Sequence, residues 1–329
     1  MLAYMARRLA LAVFTIWAIS VLTFVVIQLP PINFVDAYIT NLTAGGTTIT
    51  EAQAQQLRAE YGLDQPKYVQ YARWMRKVLQ GDFGVSLEYR RPVMEVIGDR
   101  IWLTMVVSLA AVVFTWALAF PIGIYSAVRQ YSLADYIFTL LGFLGLAVPG
   151  FLFGLLVLYV GFAFFNANIG GLFSPEYADA PWGWPKTWDL AKHLFVPAVV
   201  LGTAAMAQAI RIMRANLLDE LRKPYVVTAR AKGLTEWRVI LKYPVRVALN
   251  PFVSTVGYTL PYIVSGSIIV SLVLGLPTVG PLLLKALVAL DMFLAGTIVM
   301  FLGILTVIGT LVSDLLLMWI DPRIRVGAQ

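Results

Sequence analysis

Residues 228–251 read TARAKGLTEWRVILKYPVRVALNP, with Arg230, Lys232, Arg238, Lys242 and Arg246 set against a single acid, Glu236. Cations at this density can pair with carboxylates or phosphates, but they cleave no bonds by themselves. The side chains that would do covalent chemistry are scarce. The chain has no cysteine, which excludes a thiolate zinc site, an iron–sulfur cluster and a cysteine nucleophile. His193 is the one histidine. The patterns G-x-x-x-x-G-K-[ST], H-E-x-x-H, G-x-S-x-G and G-x-G-x-x-G do not occur. No catalytic residue, resident metal or cofactor is therefore expected in this chain, and any ATP must be bound elsewhere.

The elements that carry the basic stretch are apolar. Hydrophobic residues make up 60% of the 329 positions and charged residues only 13%, with a mean hydropathy of +0.78. Soluble domains are about half apolar and about a quarter charged. The fold class predicted is an all-α integral membrane protein. A span needs about 20 apolar residues, and six runs qualify, near 9–30, 101–128, 136–163, 194–213, 251–276 and 293–320. The run from Pro251 is interrupted by Pro261, Pro277 and Pro281, which predicts a kinked helix followed by a re-entrant or loop segment. The N-terminal run, behind Arg7 and Arg8, is longer than a signal-peptide core and is read as a retained first helix.

Charge gives the orientation. With the N-terminus inside, the segments 1–8, 129–135, 211–250 and 321–329 hold 14 Lys and Arg against 5 acids, as the positive-inside rule requires. Both termini are then cytoplasmic. The net charge of +7 follows this topology, so no nucleic-acid partner is expected. Ion-coupled carriers place carboxylates or histidines in the membrane. Here only Asp314 qualifies, two turns from the end of the last run, and it reads as a packed carboxylate. His193 reads as a surface histidine at the mouth of the fourth span.

Two outer loops are long. In 31–100, Thr50 and Gln53 have capping-box spacing and Gly62 can close the helix they open. Pro66 can start a second helix, with Tyr68, Tyr71, Ala72, Met75 and Leu79 at helical spacing and Gly81 at its end. Interfacial helices on the bilayer and a docking surface for an outside partner both fit this loop. In 164–193, Trp182, Trp184 and Trp188 suit interfacial anchoring.

The inner loop, 214–250, punctuates itself. Pro224 suits a first helical turn, giving a helix over Tyr225–Lys232, and Gly233 suits a left-handed cap. Thr235 can cap a second helix, with Glu236 in its first turn. Trp237, Ile240 and Leu241 follow at i, i+3 and i+4, and Pro244 limits this helix to about two turns. So short a helix must lean on a support. The membrane surface and a groove in a soluble partner fit the spacing equally.

The stretch VVTARAKGLTEWRVILKYPVRVALNP resembles the EAA loop of ABC importer permeases, in the form of the peptide/nickel permease family. Val227-Thr228-Ala229 stands in the Glu-Ala-Ala part, without the Glu, and Gly233 matches the motif glycine. MLAYMARRL, Tyr61–Pro66 (YGLDQP), Gly81–Ser86 (GDFGVS) and Asp321–Arg325 (DPRIR) are similar to the same family in the same order. The resemblance covers essentially the whole chain and points to the first, B-type permease subunit. It implies a type I importer transmembrane domain in a bacterial or archaeal cytoplasmic membrane. It also implies a second homologous permease, two cytoplasmic ATPases that bind ATP and magnesium, and an external substrate-binding protein. The coupling residues it implies are Ala229, Arg230, Ala231, Lys232, Gly233, Leu234, Glu236, Trp237, Arg238, Ile240 and Leu241, with Arg230, Lys232 and Arg238 meeting acidic rim residues of an ATPase. Pro149, Gly150, Tyr258, Pro261, Ser265 and Ser267 are candidates for the pathway lining. Peptides are the substrate the resemblance suggests first. Oligosaccharides and metal chelates use similar permeases, and an ion-coupled carrier or channel is the alternative of another class.

Overall fold

The computed structural model describes residues 2–28, 39–40, 50–60, 65–86, 88–167, 169–255 and 268–320. Helices dominate these residues: α1 (Leu2–Ile27), α2 (Glu51–Glu60), α3 (Lys67–Leu79), then a two-strand hairpin of β1 (Val85–Ser86) and β2 (Arg91–Pro92). There follow α4 (Val93–Val128), α5 (Leu133–Ala147), α6 (Gly150–Phe165), α7 (Trp184–His193) and α8 (Phe195–Leu221). The short helices α9 (Pro224–Ala231), α10 (Glu236–Lys242) and α11 (Pro244–Ala248) precede α12 (Ile268–Val273), α13 (Val279–Val288) and α14 (Met292–Ile320).

Among the described residues, four helical stretches are long and apolar enough to cross a membrane: Ala6–Val26, Val93–Val128, Trp184–Leu221 and Met292–Leu316. The pair α5 and α6 makes a fifth if counted as one broken span, bent by 103°. The run predicted over 136–163 is thus two helices. The cause is local: the ring of Pro149 disfavours helical backbone at the residue before it. Val148 is extended, at φ −89° and ψ 121°, and Pro149 takes the N-cap place of α6. The second helix begins earlier than the predicted 101, at Val93, and the fourth continues past Arg211 to Leu221. The fifth run is helical over 251–255 and Ile268–Val273, and 256–267 lies outside the described residues. Beyond it the chain turns at Gly275, φ +66°, and enters α13, which has ten residues and is too short to cross.

The chain divides into two units, Met1–Trp102 with Pro281–Val307 and Leu103–Gly280 with Ile308–Gln329. In the first, α2 opens with the predicted capping box. Gln53 N donates to Thr50 Oγ1 at 3.4 Å, and Thr50 N donates to Gln53 Oε1 at 2.9 Å. Gly62, expected to close this helix, lies outside the described residues. Helix α3 starts after Pro66 and stops before Gly81, φ +83°, as predicted. It lies on the C-terminal turns of α1. The Ser20 and Tyr71 hydroxyls are 2.8 Å apart, and Gln28 Nε2 donates to Gln70 Oε1 at 3.0 Å. The Phe24 ring sits 5.4 Å from Tyr71 and 6.0 Å from Trp74. Ser20 is buried; its hydroxyl donates to the Trp17 carbonyl at 2.7 Å and meets the Tyr71 hydroxyl besides.

The hairpin of the same unit is held by a buried carboxylate. Ser86 Oγ donates to Asp291 Oδ2 at 2.5 Å and Glu88 N donates to the same oxygen at 3.3 Å, while Leu294 N donates to Asp291 Oδ1 at 3.1 Å. Asp291 therefore caps α14 and clasps β1 at once. Gly84, φ +84°, lies against the Phe293 ring, where an added Cβ would come within 2.9 Å of Cδ1.

In the second unit α4 and α8 approach closely. A Cβ on Gly202 would stand 2.8 Å from Phe114 Cδ1 and 3.2 Å from the Ala111 carbonyl oxygen, and Thr115 Oγ1 donates to the Gly202 carbonyl at 3.2 Å. The start of α5 is tied to α8 by Arg214 Nη2 donating to Asp135 Oδ2 at 3.1 Å, an oxygen that also accepts from Tyr131 N at 3.0 Å. The loop before α8 has a polar core. Asp189 accepts from Ser174 N and Oγ at 2.7 and 2.8 Å. Lys186 Nζ donates to the Ala178 and Ala180 carbonyls and lies 5.0 Å and 5.1 Å from the Phe173 and Trp182 ring centroids. Trp182 thus lies over a buried cation while remaining 45% exposed itself, and Trp184 and Trp188 are exposed as well. His193, expected at the surface, is half-buried, and Nδ1 lies 2.9 Å from the Asp189 carbonyl oxygen.

Candidate coupling surface

The basic loop is a helical hairpin that builds its own small core. Lys223 is the N-cap of α9 and Pro224 its first residue, where a missing N–H costs no hydrogen bond. Gly233 takes φ +75° with open space around its α-carbon, so it serves the turn and not packing. Val226 and Ala229 from α9 and Val239 from α10 are buried together, with Leu234 and Tyr243 packed against them. Tyr225 Oη donates to Glu220 Oε2 at 2.5 Å across the start of α9. Burial, and then that carboxylate, push the phenol above its ordinary range.

Charge closes the turn. Arg230 donates to Glu236 through Nη2 at 2.6 Å and through Nε at 3.1 and 3.2 Å. The hydrogen bonds from Arg230 hold the Glu236 carboxyl below the usual range, and those to Glu236 raise the guanidinium. Arg230 is engaged with Glu236 across the Gly233 turn, and the two side chains remain 42% and 54% exposed. Lys232 and Arg238 are exposed. Thr235 occupies the N-cap of α10, but its side chain makes no capping hydrogen bond.

The stripe Trp237, Ile240 and Leu241 is split by the structure. Ile240 is 2% exposed and belongs to a core with Ala119 and Ala127 of α4, Ala209, Ile210, Met213 and Leu217 of α8, and Val245, Ala248 and Phe252. Trp237 is 64% exposed and Leu241 53%. Helix α10 therefore roots itself through Val239 and Ile240 and presents Trp237 and Leu241 outward. Of the other predicted coupling residues, Ala229 and Leu234 are internal to the hairpin, while Ala231 and Gly233 are exposed. Pro244 opens α11, which carries Val245 and Ala248 into the same core. The Phe252 ring lies 4.9 Å from Phe120 at a near-perpendicular angle.

The arrangement is a rigid basic knob rooted between two long apolar helices. The family described as the binding-protein-dependent transport system inner membrane component matches residues 119–326, and its N-terminal family matches residues 1–110. The chain belongs to this family. It is similar along its length to named permeases. The oligopeptide transport system permease protein AppB of Bacillus subtilis is 33% identical over 99% of this chain and 100% of its own. The dipeptide transport system permease protein DppB of Escherichia coli is 30% identical over 99% of each. The glutathione transport system permease protein GsiC of Salmonella paratyphi A is 33% identical, also over 99% of each.

The candidate pathway residues of this permease divide in two. Pro149 and Gly150 stand at the α5–α6 break, where a Cβ on Gly150 would meet Val270 Cγ2 at 3.5 Å. Tyr258, Pro261, Ser265 and Ser267 lie outside the described residues. Sequence reasoning missed the Asp135–Arg214 pair and the Ser86–Asp291 contact. Each joins residues far apart in the chain, and no local pattern marks them. Asp135 three residues after Ser132 did carry a cap signal, since Asp135 N donates to Ser132 Oγ at 3.2 Å.

Proposed function

We propose that this permease is a membrane subunit of an ATP-driven importer, with the six-span type I fold and both termini in the cytoplasm. A second, homologous permease completes the pathway. Two cytoplasmic ATPases hold the ATP and magnesium, and an external binding protein delivers substrate. The chain itself performs no covalent step. Peptides are the proposed cargo, on the strength of relatives named for oligopeptide, dipeptide and glutathione transport.

One observation carries the mechanism: the two sides of α10 face different ways. Trp237 and Leu241 are exposed apolar side chains flanked by the cations Arg238 and Lys242, the composition of an interface core and rim. Val239 and Ile240, on the other side, are buried in the hairpin and in the α4–α8 core. When the ATPases close, the force enters at Trp237 and Leu241. It leaves through Ile240, Val245 and Ala248 into α4 and α8. Close-packed contacts of this kind transmit a displacement without absorbing it.

Reconstitution with partner subunits tests the reading. Trp237→Glu and Gly233→Pro are expected to leave the permease in the membrane and abolish ATP-dependent peptide uptake. Uptake at the parent rate by both variants would contradict the coupling role. Uptake of a metal chelate or oligosaccharide with no peptide uptake would contradict the substrate assignment alone.

A further inference from the structure

Helix α3 presents three different stripes. Gln70, Tyr71 and Trp74 face α1. Arg73, Arg76 and Lys77 are exposed at i, i+3 and i+4, so they share a second face. Tyr68, Ala72 and Leu79 are exposed on a third side, Tyr68 at 75% and Leu79 at 80%. The helix sequence KYVQYARWMRKVL contains no acid. Lys77 pairs with Asp82 at 3.9 Å, and the two groups are 65% and 57% exposed.

Depth decides what covers these faces. The contacts of α3 fall between Ser20 and Gln28 of α1, the final stretch of the candidate span Ala6–Val26. At 1.5 Å per residue they occupy about the last 12 Å of that helix, the level where acyl chains give way to headgroups. A soluble partner with acids beside an apolar patch would have to enter the headgroup layer to reach both stripes. A purely apolar partner would strip the cations of water. The bilayer boundary satisfies both stripes at the depth where α3 already lies.

We propose that α3 is an interfacial helix that seats anionic phospholipid, with headgroup phosphates on Arg73, Arg76 and Lys77 and acyl chains along Tyr68, Ala72 and Leu79. The inference rests on α1 crossing the membrane and is independent of the coupling reading. Each cation adds electrostatic affinity for an anionic surface, so its removal weakens binding about fivefold.

The absence of native cysteine permits a clean test on the assembled transporter in phosphatidylcholine vesicles containing phosphatidylglycerol. Spin labels are placed singly through Ala72→Cys and Arg76→Cys. The label at 72 is expected to be reached by lipid-soluble oxygen, and the label at 76 by a water-soluble nickel chelate. Phosphatidylglycerol retained after purification is expected to fall stepwise through R76Q, R73Q/R76Q and R73Q/R76Q/K77Q. Three results would overturn the proposal: chelate reaching position 72 as freely as 76, a label at 72 shielded from both reagents as a protein partner would shield it, or unchanged phosphatidylglycerol in the triple variant. The labelled single variants keep the test valid should the triple variant fail to fold.

Discussion

Residue roles in the hairpin separate by burial, and their substitutions should separate likewise. Ile240→Ala removes a 2%-exposed side chain from a packed core, a change that costs about 2–5 kcal/mol. Its melting temperature in detergent should fall well below the parent's, whereas that of Trp237→Glu should stay close to it. Equal losses would mean that Trp237 is structural. The Arg230–Glu236 pair gives a pH signature. The folded carboxyl titrates below its usual range, so the contribution of the pair is complete above that range and is lost as pH falls through the lowered folded value. The gap in stability between the parent and Arg230→Gln should be constant from pH 7 down to the usual carboxylate range and vanish in stronger acid. Both groups are well exposed, so the gap is at most about 1 kcal/mol. Periodicity alone could not place these roles. Trp237, Ile240 and Leu241 do share a helical face by spacing, but only the packing of α10 against α4 and α8 shows that Ile240 is the one covered.

Elements here are fixed by close approaches and by carboxylates that join distant segments. Gly202 lets α4 touch α8, and a side chain there would strike Phe114 and the Ala111 carbonyl. Gly98, inside α4, has open space around it. Gly202→Val should reduce the folded yield in detergent sharply, while Gly98→Ala should be neutral or raise stability by up to about 1 kcal/mol, the helix-propensity gain. Loss of the Ser86 hydroxyl leaves buried Asp291 short of a donor, worth about 1–3 kcal/mol. A double-mutant cycle over Ser86→Ala and Asp291→Asn measures that coupling, and additive effects would argue against the clasp. The local devices were legible in the sequence: the Thr50–Gln53 box, Pro66 and Gly81 around α3, Pro224 and Gly233 around α9. The 103° bend at Pro149-Gly150 was not, since 136–163 reads as one apolar run. A proline marks where a helix breaks, while packing against α8 and α12 sets where the next one goes. Ser86 and Asp291 lie 205 residues apart, and no residue near either one signals the other.

For the whole molecule, composition and charge gave the membrane class, and the family match supplies the setting of a binding-protein-dependent transporter. The central claim is that energy enters at the exposed side of α10. The cysteine-free background allows the contact to be read directly in the assembled transporter. Single cysteines at Trp237, Leu241 and Val239 are treated with a short bifunctional reagent together with ATPase subunits carrying surface cysteines. Positions 237 and 241 are predicted to cross-link to the ATPase, with yields that change when ATP is added, and position 239 is predicted to remain unreacted. Cross-linking at 239 but not at 237 or 241, or at none of the three in a complex that hydrolyses ATP and transports, would contradict the account.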